Sequence, residues 1–342
     1  MHAQTALVLL NLGGPSSLDE VGGYLRRLFT DREMMTLPAQ STLGGWLAKW
    51  REGEVQRRYA QIGGASPQAH WTGLQGDAMA AKLSITKPSK GPFRSYLAMR
   101  HATPNAETAL RALVADGVKR AVAFSMYPHF SQATTGGSLR NLRQAVERVD
   151  GSQLLKWSVV DAWGDHPAYI EALADTVRTG LAHFSDAERD EMVIVFSAHS
   201  LPMSQVLKGD PYPTQVRSTI DLLTARLGPN SPPYILAYQS AVGPMRWLEP
   251  SLTATLKRLG KEGTKSVLVV PVGFNCDHIE TLYELDIEAA HTAKRAGITH
   301  FHRAPALNDN PLFLNALASI AADGLGCSGC SGCACGTTEA AA

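Results

Sequence analysis

At 342 residues, with 44% hydrophobic and 18% charged side chains, the chain has the composition of a globular protein long enough for two domains. A formal net charge of +1 gives no argument for nucleic acid or for bulk attraction to anionic lipid. No run of about 18 apolar residues exists, so no membrane-spanning helix is expected. The opening MHAQTALVLLNLGG lacks a basic stretch and reads as a strand entering a glycine turn rather than as a signal peptide.

In chain order, the apolar run Ala6–Leu10 breaks at Asn11-Leu12-Gly13-Gly14-Pro15, a strand that ends in a loop. Helical sequence follows around Val21–Phe29. In the stretch Pro38–Pro67, Leu43, Trp46, Leu47 and Trp50 recur at i, i+3, i+4, i+7 and make one apolar face. Such a face is expected to pack as core. With Lys49, Arg51, Arg57 and Arg58 nearby, the alternative is a pocket lip or a membrane-surface patch. A repeat then appears. Ser95–Met126 and Tyr234–Val272 each read strand, loop, helix (ALRAL or TLKRL), a Gly-x-Lys turn, and a second strand. Ala6–Gly14 and Met192–Leu201 are likewise both strands that run into polar loops. The fold class expected is therefore α/β, with two similar flavodoxin- or Rossmann-like halves, each a parallel sheet flanked by helices. The first half should span 1–165, with a helix at 308–325 returning to it and a lip at 38–67. The second should span 166–307, followed by a Cys-rich tail at 326–342.

Four strand-end loops carry the candidate chemistry: Tyr127–Ser131, Ser197–Pro202, Gln239–Trp247, and the stretch after Val267–Val272. The last of these leads into an acidic helix. At about 100° per residue, Asp277, Glu280, Glu284 and Glu288 fall on one stripe. Like charges at i,i+4 cost an isolated helix a few tenths of a kcal/mol per pair. A cation, a proton path or solvent must offset that. A regular helix would point His278 away from the stripe, so joint action calls for a local π-bulge. His199, Trp247, His278 and Glu280 can then converge; otherwise His199 satisfies a loop and Trp247 is a core aromatic. There is no Walker loop, G-x-G-x-x-G or G-x-S-x-G, so neither a nucleotide nor a serine nucleophile is implied. Four of the five cysteines, Cys327, Cys330, Cys333 and Cys335, crowd into the tail, a spacing suited to a metal or iron–sulfur site in a reducing compartment. Cys276 stands apart as a small residue expected to be buried.

The stretches LNLGGPSSLDEVGGYLRRLFTDREMMTLP, YPHFSQATTGGSL, VIVFSAHSLPMSQVLKGDPYPTQV, YQSAVGPMRWLEPSL and GFNCDHIETLYELDIE together resemble ferrochelatase, from about Ala6 to Ile320. The long lip is similar to that of the branch acting on protoporphyrin. The resemblance implies a lyase of haem biosynthesis whose two halves clasp protoporphyrin IX, insert Fe²⁺ and release two protons. It implies His199 as the proton acceptor or the iron ligand, Glu280 as its partner, and His278 as the residue ordering the site. Asp277, Glu284 and Glu288 would form an acidic track, and His199 with Glu280 would meet the substrate Fe²⁺. Leu12, Tyr127 and Trp247 would press on the ring, Arg100 and Ser131 would lie near the propionates or the metal approach, and Leu43, Trp46, Leu47 and Trp50 would flank the mouth. The tail departs from the animal pattern, in which one cluster cysteine comes from the body of the fold; here Gln132 stands there. The four tail thiols are expected to hold a [2Fe–2S] cluster, with zinc or an unmetallated tail as alternatives. A cytoplasmic protein, peripheral at the inner membrane through its lip and either monomeric or homodimeric, is expected. Coproporphyrin III as the substrate, or a haem-handing protein without catalysis, are the competing readings.

Overall fold

The structure, a computed structural model, describes residues 5–34, 39–243 and 245–326. Cys327, Cys330, Cys333 and Cys335 lie outside these residues, as does the cluster expected on them. The chain divides into two units, one of residues 1–163 with 309 onward and one of residues 164–308.

The first unit runs β1 (Thr5–Asn11), α1 (Val21–Thr30), α2 (Gln40–Gln61), α3 (Gln68–Thr86), β2 (Phe93–Met99), α4 (Ala106–Ala115), β3 (Arg120–Ser125), α5 (Gly137–Arg148) and β4 (Lys156–Val160). Its strands form one parallel sheet in the order β2-β1-β3-β4. β1 is buried along its whole length, the near-continuous apolar run that a strand covered on both faces requires. Asn105 caps α4 by accepting the N–H of Thr108, so the helix starts where the sequence changes from turn to apolar period.

The second unit runs α6 (Pro167–Leu181), α7 (Asp186–Asp190), β5 (Val193–His199), α8 (Met203–Val206), α9 (Tyr212–Leu227), β6 (Tyr234–Gln239), α10 (Leu252–Lys261), β7 (Ser266–Pro271), α11 (Ile279–Leu282), a π-turn (Glu284–Ala289), α12 (Ala290–Ala296) and β8 (His300–Arg303). Its parallel sheet has the order β6-β5-β7-β8, the same winding as in the first unit. Ser251 caps α10 as Asn105 caps α4. The core between sheet and helices gathers Val195, Leu256, Val267, Val269, Leu285 and Ala293. The last helix, α13 (Pro311–Gly326), packs on α3, β3 and β4 of the first unit. Two similar parallel α/β halves are thus present.

In each unit the chain leaves the first strand to one side and returns on the other. The switch points therefore lie at the carboxyl ends of β1 and β3 in one unit, and of β5 and β7 in the other. Gly13 turns the chain after β1 at φ 76, with no room for a side chain. A Cβ there would stand 2.6 Å from that of Ala102.

The core reading of α2 is overturned. Trp46 and Trp50 are each 66% exposed and Leu43 is exposed too, while the helix buries Gln40, Gly44, Ala48 and Tyr59. The two indoles stack on each other, centroids 6.3 Å apart and planes 3° from parallel. Gly44 faces the backbone carbonyl of Phe29, where a Cβ would clash at 2.5 Å. The tight approach to α1 is thus made by the small residues, which leaves the large apolar ones outside.

Candidate active site

His199 is the last residue of β5, and β7 ends alongside it: the N–H of Val272 donates to Ser197 O at 2.8 Å. From there Gly273, at φ 92, bends the chain into the acidic segment. The result is a close pair. His199 Nδ1 and Glu280 Oε2 are 2.6 Å apart, with the His199 side chain 43% exposed. Tyr212 donates its hydroxyl to His199 O at 3.0 Å and fixes the strand end behind the ring.

From the end of β6 comes a second set. Ser240, held left-handed at φ 66, donates to Glu284 Oε2 at 2.6 Å and also lies 3.2 Å from Glu280 Oε2. Gln239 donates from Nε2 to Glu280 O at 2.8 Å and to Glu284 Oε2 at 3.1 Å. Its Oε1 accepts from the buried Ser197 hydroxyl at 2.7 Å. One hydroxyl and one amide thus lie against two carboxylates.

These contacts push the titrations apart. Burial would lower the His199 pKa, but the charge and hydrogen bond of Glu280, with the charge of Glu284 behind, carry it above the ordinary histidine value. Burial works against ionised Glu280 as well, yet His199, His278 and the Ser240 hydroxyl hold its carboxyl below the usual range. Glu284 goes the other way, pushed up to about 7 by burial and by the neighbouring Glu280 charge. Two carboxyls four residues apart, one held ionised and one held protonated to near neutrality, is the pattern that proton chemistry uses.

His278 and Asp277 differ from the sequence expectation. His278 is the extended N-cap of α11 (φ −162), its N–H donating to Thr281 Oγ1 at 3.1 Å. It joins the site through the cap rather than through a bulge, with Nδ1 on Cys276 O at 3.0 Å and Nε2 3.9 Å from Glu280 Oε1. A π-turn is present, but downstream: the N–H of Glu288 reaches back five residues to Tyr283 O at 3.0 Å. Asp277 precedes the helix, so it cannot lie on a helical stripe with Glu280. Its carboxylate is taken by Arg303 at 3.2 Å, Asn308 at 2.8 Å and Thr281 at 2.8 Å. Glu288 sits half-buried in the π-turn. Cys276 is buried, and burial followed by the Asp277 charge raises its thiol well above the ordinary range, so it is not a reactive thiolate. Trp247, half-buried, donates Nε1 to Val242 O at 2.9 Å and pins its own loop; it is not a core residue.

The first unit has its own constellation at the equivalent strand ends. Tyr127 donates its hydroxyl to Asn11 Oδ1 at 2.8 Å and accepts the N–H of Leu12 at 3.0 Å. Arg100 donates to Ala133 O at 2.8 Å and to Glu33 at 2.8 Å, and also pairs with Asp31, so its charge is already met. Ser131 is buried and caps the following turn by accepting the N–H of Ala133 at 3.3 Å. Among the described residues, no group of three or more His, Cys, Asp or Glu is arranged to hold a metal ion.

Sequence reasoning placed Gln239 and Ser240 in a candidate loop without giving either a role, and it missed Tyr212 and Arg303. A role for the first two was within reach, because Gln239-Ser240 ends a strand of the same repeat whose neighbour ends in His199.

Three comparisons bear on this geometry. Residues 4–325 match the family model described as Ferrochelatase. Among curated proteins, the chain is 46% identical over 318 residues to "Ferrochelatase, mitochondrial" of Xenopus laevis, covering 93% of this chain and 77% of that one. It is 44% identical to the Homo sapiens protein of the same description, over 93% and 75%. To the "Ferrochelatase" of Geotalea uraniireducens it is 43% identical, over 94% and 98%. Among solved structures, it is similar in fold to SirB from Bacillus subtilis with Fe3+, at a TM-score of 0.54 and 13% identity, covering 94% of this chain and 95% of that one.

Proposed function

Since the chain belongs to the ferrochelatase family, and is a metal chelatase that inserts ferrous iron into a porphyrin to make haem, we propose that His199 is the base and that the porphyrin is protoporphyrin IX. A free-base porphyrin must give up two inner N–H protons as the metal enters, and an imidazole near neutrality suits that task. The observation that carries the reading is the 2.6 Å contact between His199 Nδ1 and Glu280. With Nδ1–H donated to the carboxylate, Nε2 keeps its lone pair and is the atom that takes a pyrrole proton. The imidazolium so formed is balanced by a carboxylate held ionised. Ser240 and Glu284, next in line, offer a hydroxyl and a carboxyl that changes protonation near neutrality, which suits passing the proton on.

The test is zinc insertion into protoporphyrin IX by the purified protein, followed by absorption. His199→Ala should lose about 10²–10⁴ in kcat, and full turnover in that variant would end the assignment. Running coproporphyrin III in the same assay decides the ring, since its four carboxylates would want more basic groups at the pocket edge.

Three further readings belong to the proposal. The exposed Trp46–Trp50 pair, beside Leu43, Leu47 and Lys49, suits peripheral contact of a cytoplasmic protein with the inner membrane. Among the described residues no helix is long and apolar enough to cross a membrane. On the first unit, Leu12 and Tyr127 supply an apolar and phenolic surface for the macrocycle. The four tail cysteines, spaced C-x₂-C-x₂-C-x-C, are the ligands we assign to a [2Fe–2S] cluster. Charge-transfer bands in anaerobically purified protein, absent when the tail cysteines are changed to serine, are the check.

A further inference from the structure

One side chain that takes no part in proton transfer grips the acidic segment at two points. Arg303 closes β8 and is only 12% exposed. Its Nη1 meets Asp277 Oδ1 at 3.2 Å, while Nε and Nη2 hold the two oxygens of Asp286 at 2.6 and 2.9 Å. Asp277 stands immediately before His278. Asp286 lies inside the π-turn, between Glu284 and Glu288. Asn308, left-handed at φ 37, completes the anchor by accepting the N–H of Asp277 at 2.7 Å and donating to its carboxylate.

A π-turn is a poor structure by itself, one residue wider than the α-turn that would replace it. Here it is packed from inside by the buried Leu285 and Ala289. Those two contacts hold the segment against the core, but they do not set how many residues lie between its start and the turn. Two carboxylates nine residues apart, joined by one rigid guanidinium, do set it. If the wide turn relaxed to α while α12 kept its packing in the core, Glu280 and Glu284, which precede and open the turn, would rotate relative to the sheet by a large fraction of a turn. Glu284 would then leave Ser240.

We propose that Arg303 is a positioning residue for metal insertion: by clamping Asp277 and Asp286 together it fixes the π-turn and holds Glu280 and Glu284 against His199 and Ser240. The proposal rests on the reading of those two glutamates as the working acids. Lysine cannot reproduce the clamp, because a point charge on a flexible stem cannot grip Asp286 with two parallel bonds while reaching Asp277.

The experiment uses the full chain with zinc as the metal. Arg303→Lys, Asp286→Asn and Glu284→Gln are compared for kcat, for porphyrin KM, for porphyrin binding by fluorescence quenching, and for melting temperature. Arg303→Lys is expected to melt within a few degrees of the parent and to bind porphyrin within about 2-fold, while kcat falls about 10–100-fold, the scale of a misplacement near 1 Å. A folded Arg303→Lys with parental kcat overturns the proposal. So does one that loses kcat and porphyrin affinity together, in step with a lower melting temperature. If Arg303→Lys does not fold, Asp286→Asn is judged by the same criteria. Full kcat in Glu284→Gln would sink the reading of that acid and leave the clamp to be decided by its own variants. An impaired Glu284→Gln beside a fully active Arg303→Lys would sink the clamp alone.

Discussion

Replacing Glu284 with glutamine should stabilise the protein, and by more at high pH than at low. Glu284 is half-buried beside Glu280, and its folded pKa rises from 4.5 to about 7. Between those two values the folded chain binds more protons than the unfolded one, so the contribution of this group to stability falls as pH rises. A shift of about 2.5 pH units, at about 1.36 kcal/mol each, sets an upper limit of about 3 kcal/mol by pH 8. Glutamine keeps the shape and can still accept from Ser240 and Gln239, and it carries no charge to repel Glu280. Denaturant unfolding of parent and Glu284→Gln at pH 5.0, 6.5 and 8.5, followed by circular dichroism, measures the difference. The variant should match the parent at pH 5.0 and gain steadily above it. An equal gain at all three values, or none at pH 8.5, would refute the account of two carboxyls forced apart by their shared surroundings. Kinetically the same variant should insert zinc more slowly, because the group that changes protonation near neutrality is gone.

Other outcomes follow from the same contacts. In the parent, kcat/KM should fall as pH drops through a His199 pKa lying above the ordinary histidine value. Glu280→Gln should move that acid limb downward, since the imidazole then loses the Glu280 charge and keeps only that of Glu284 to hold its pKa up. Leu285→Ala should cost about 2–5 kcal/mol in unfolding experiments, because it empties a fully buried position between α10 and the sheet. Trp46→Ala with Trp50→Ala should change stability by no more than about 0.5 kcal/mol, as expected for exposed positions, while weakening sedimentation with vesicles containing anionic lipid.

The sheets were legible because their strands announce themselves. β1 and β7 are short, β-branched or leucine-rich runs that give way to a glycine two residues on, and the helices α4 and α10, which join β2 to β3 and β6 to β7, both end in a glycine turn. Period alone was a weaker guide elsewhere. The i, i+3, i+4, i+7 spacing of Leu43, Trp46, Leu47 and Trp50 correctly put them on one face. Nothing in the spacing says what covers that face, and the close approach of Gly44 to Phe29 decided it the other way. The acidic helix shows a related limit. A stripe drawn at 100° per residue assumes that the helix starts before Asp277 and never widens. His278 is the cap, and the turn after Leu282 is π. Arg303 was invisible for a third reason. Its partners lie 26 and 17 residues away, and only the parallel pairing of β7 with β8 brings its guanidinium beside them.

The duplicated winding explains why a histidine and a glutamate 81 positions apart come within hydrogen-bond reach. Both sheets have the same strand order, so both place the ends of their first and third strands side by side. In the first unit those ends meet through Asn11, Leu12 and Tyr127, an amide, a backbone N–H and a phenol. In the second they meet through His199 and Glu280, an imidazole and a carboxylate that each shift the other's titration. The frame supplies proximity twice, and the side chains at its two ends decide which copy can move a proton. Exchanging them tests this. His199→Asn with Glu280→Gln should preserve the sheet, whose register depends on the residues before His199, and should abolish insertion. A double variant that folds and still inserts zinc at the parental rate would mean that the proton leaves by groups other than these.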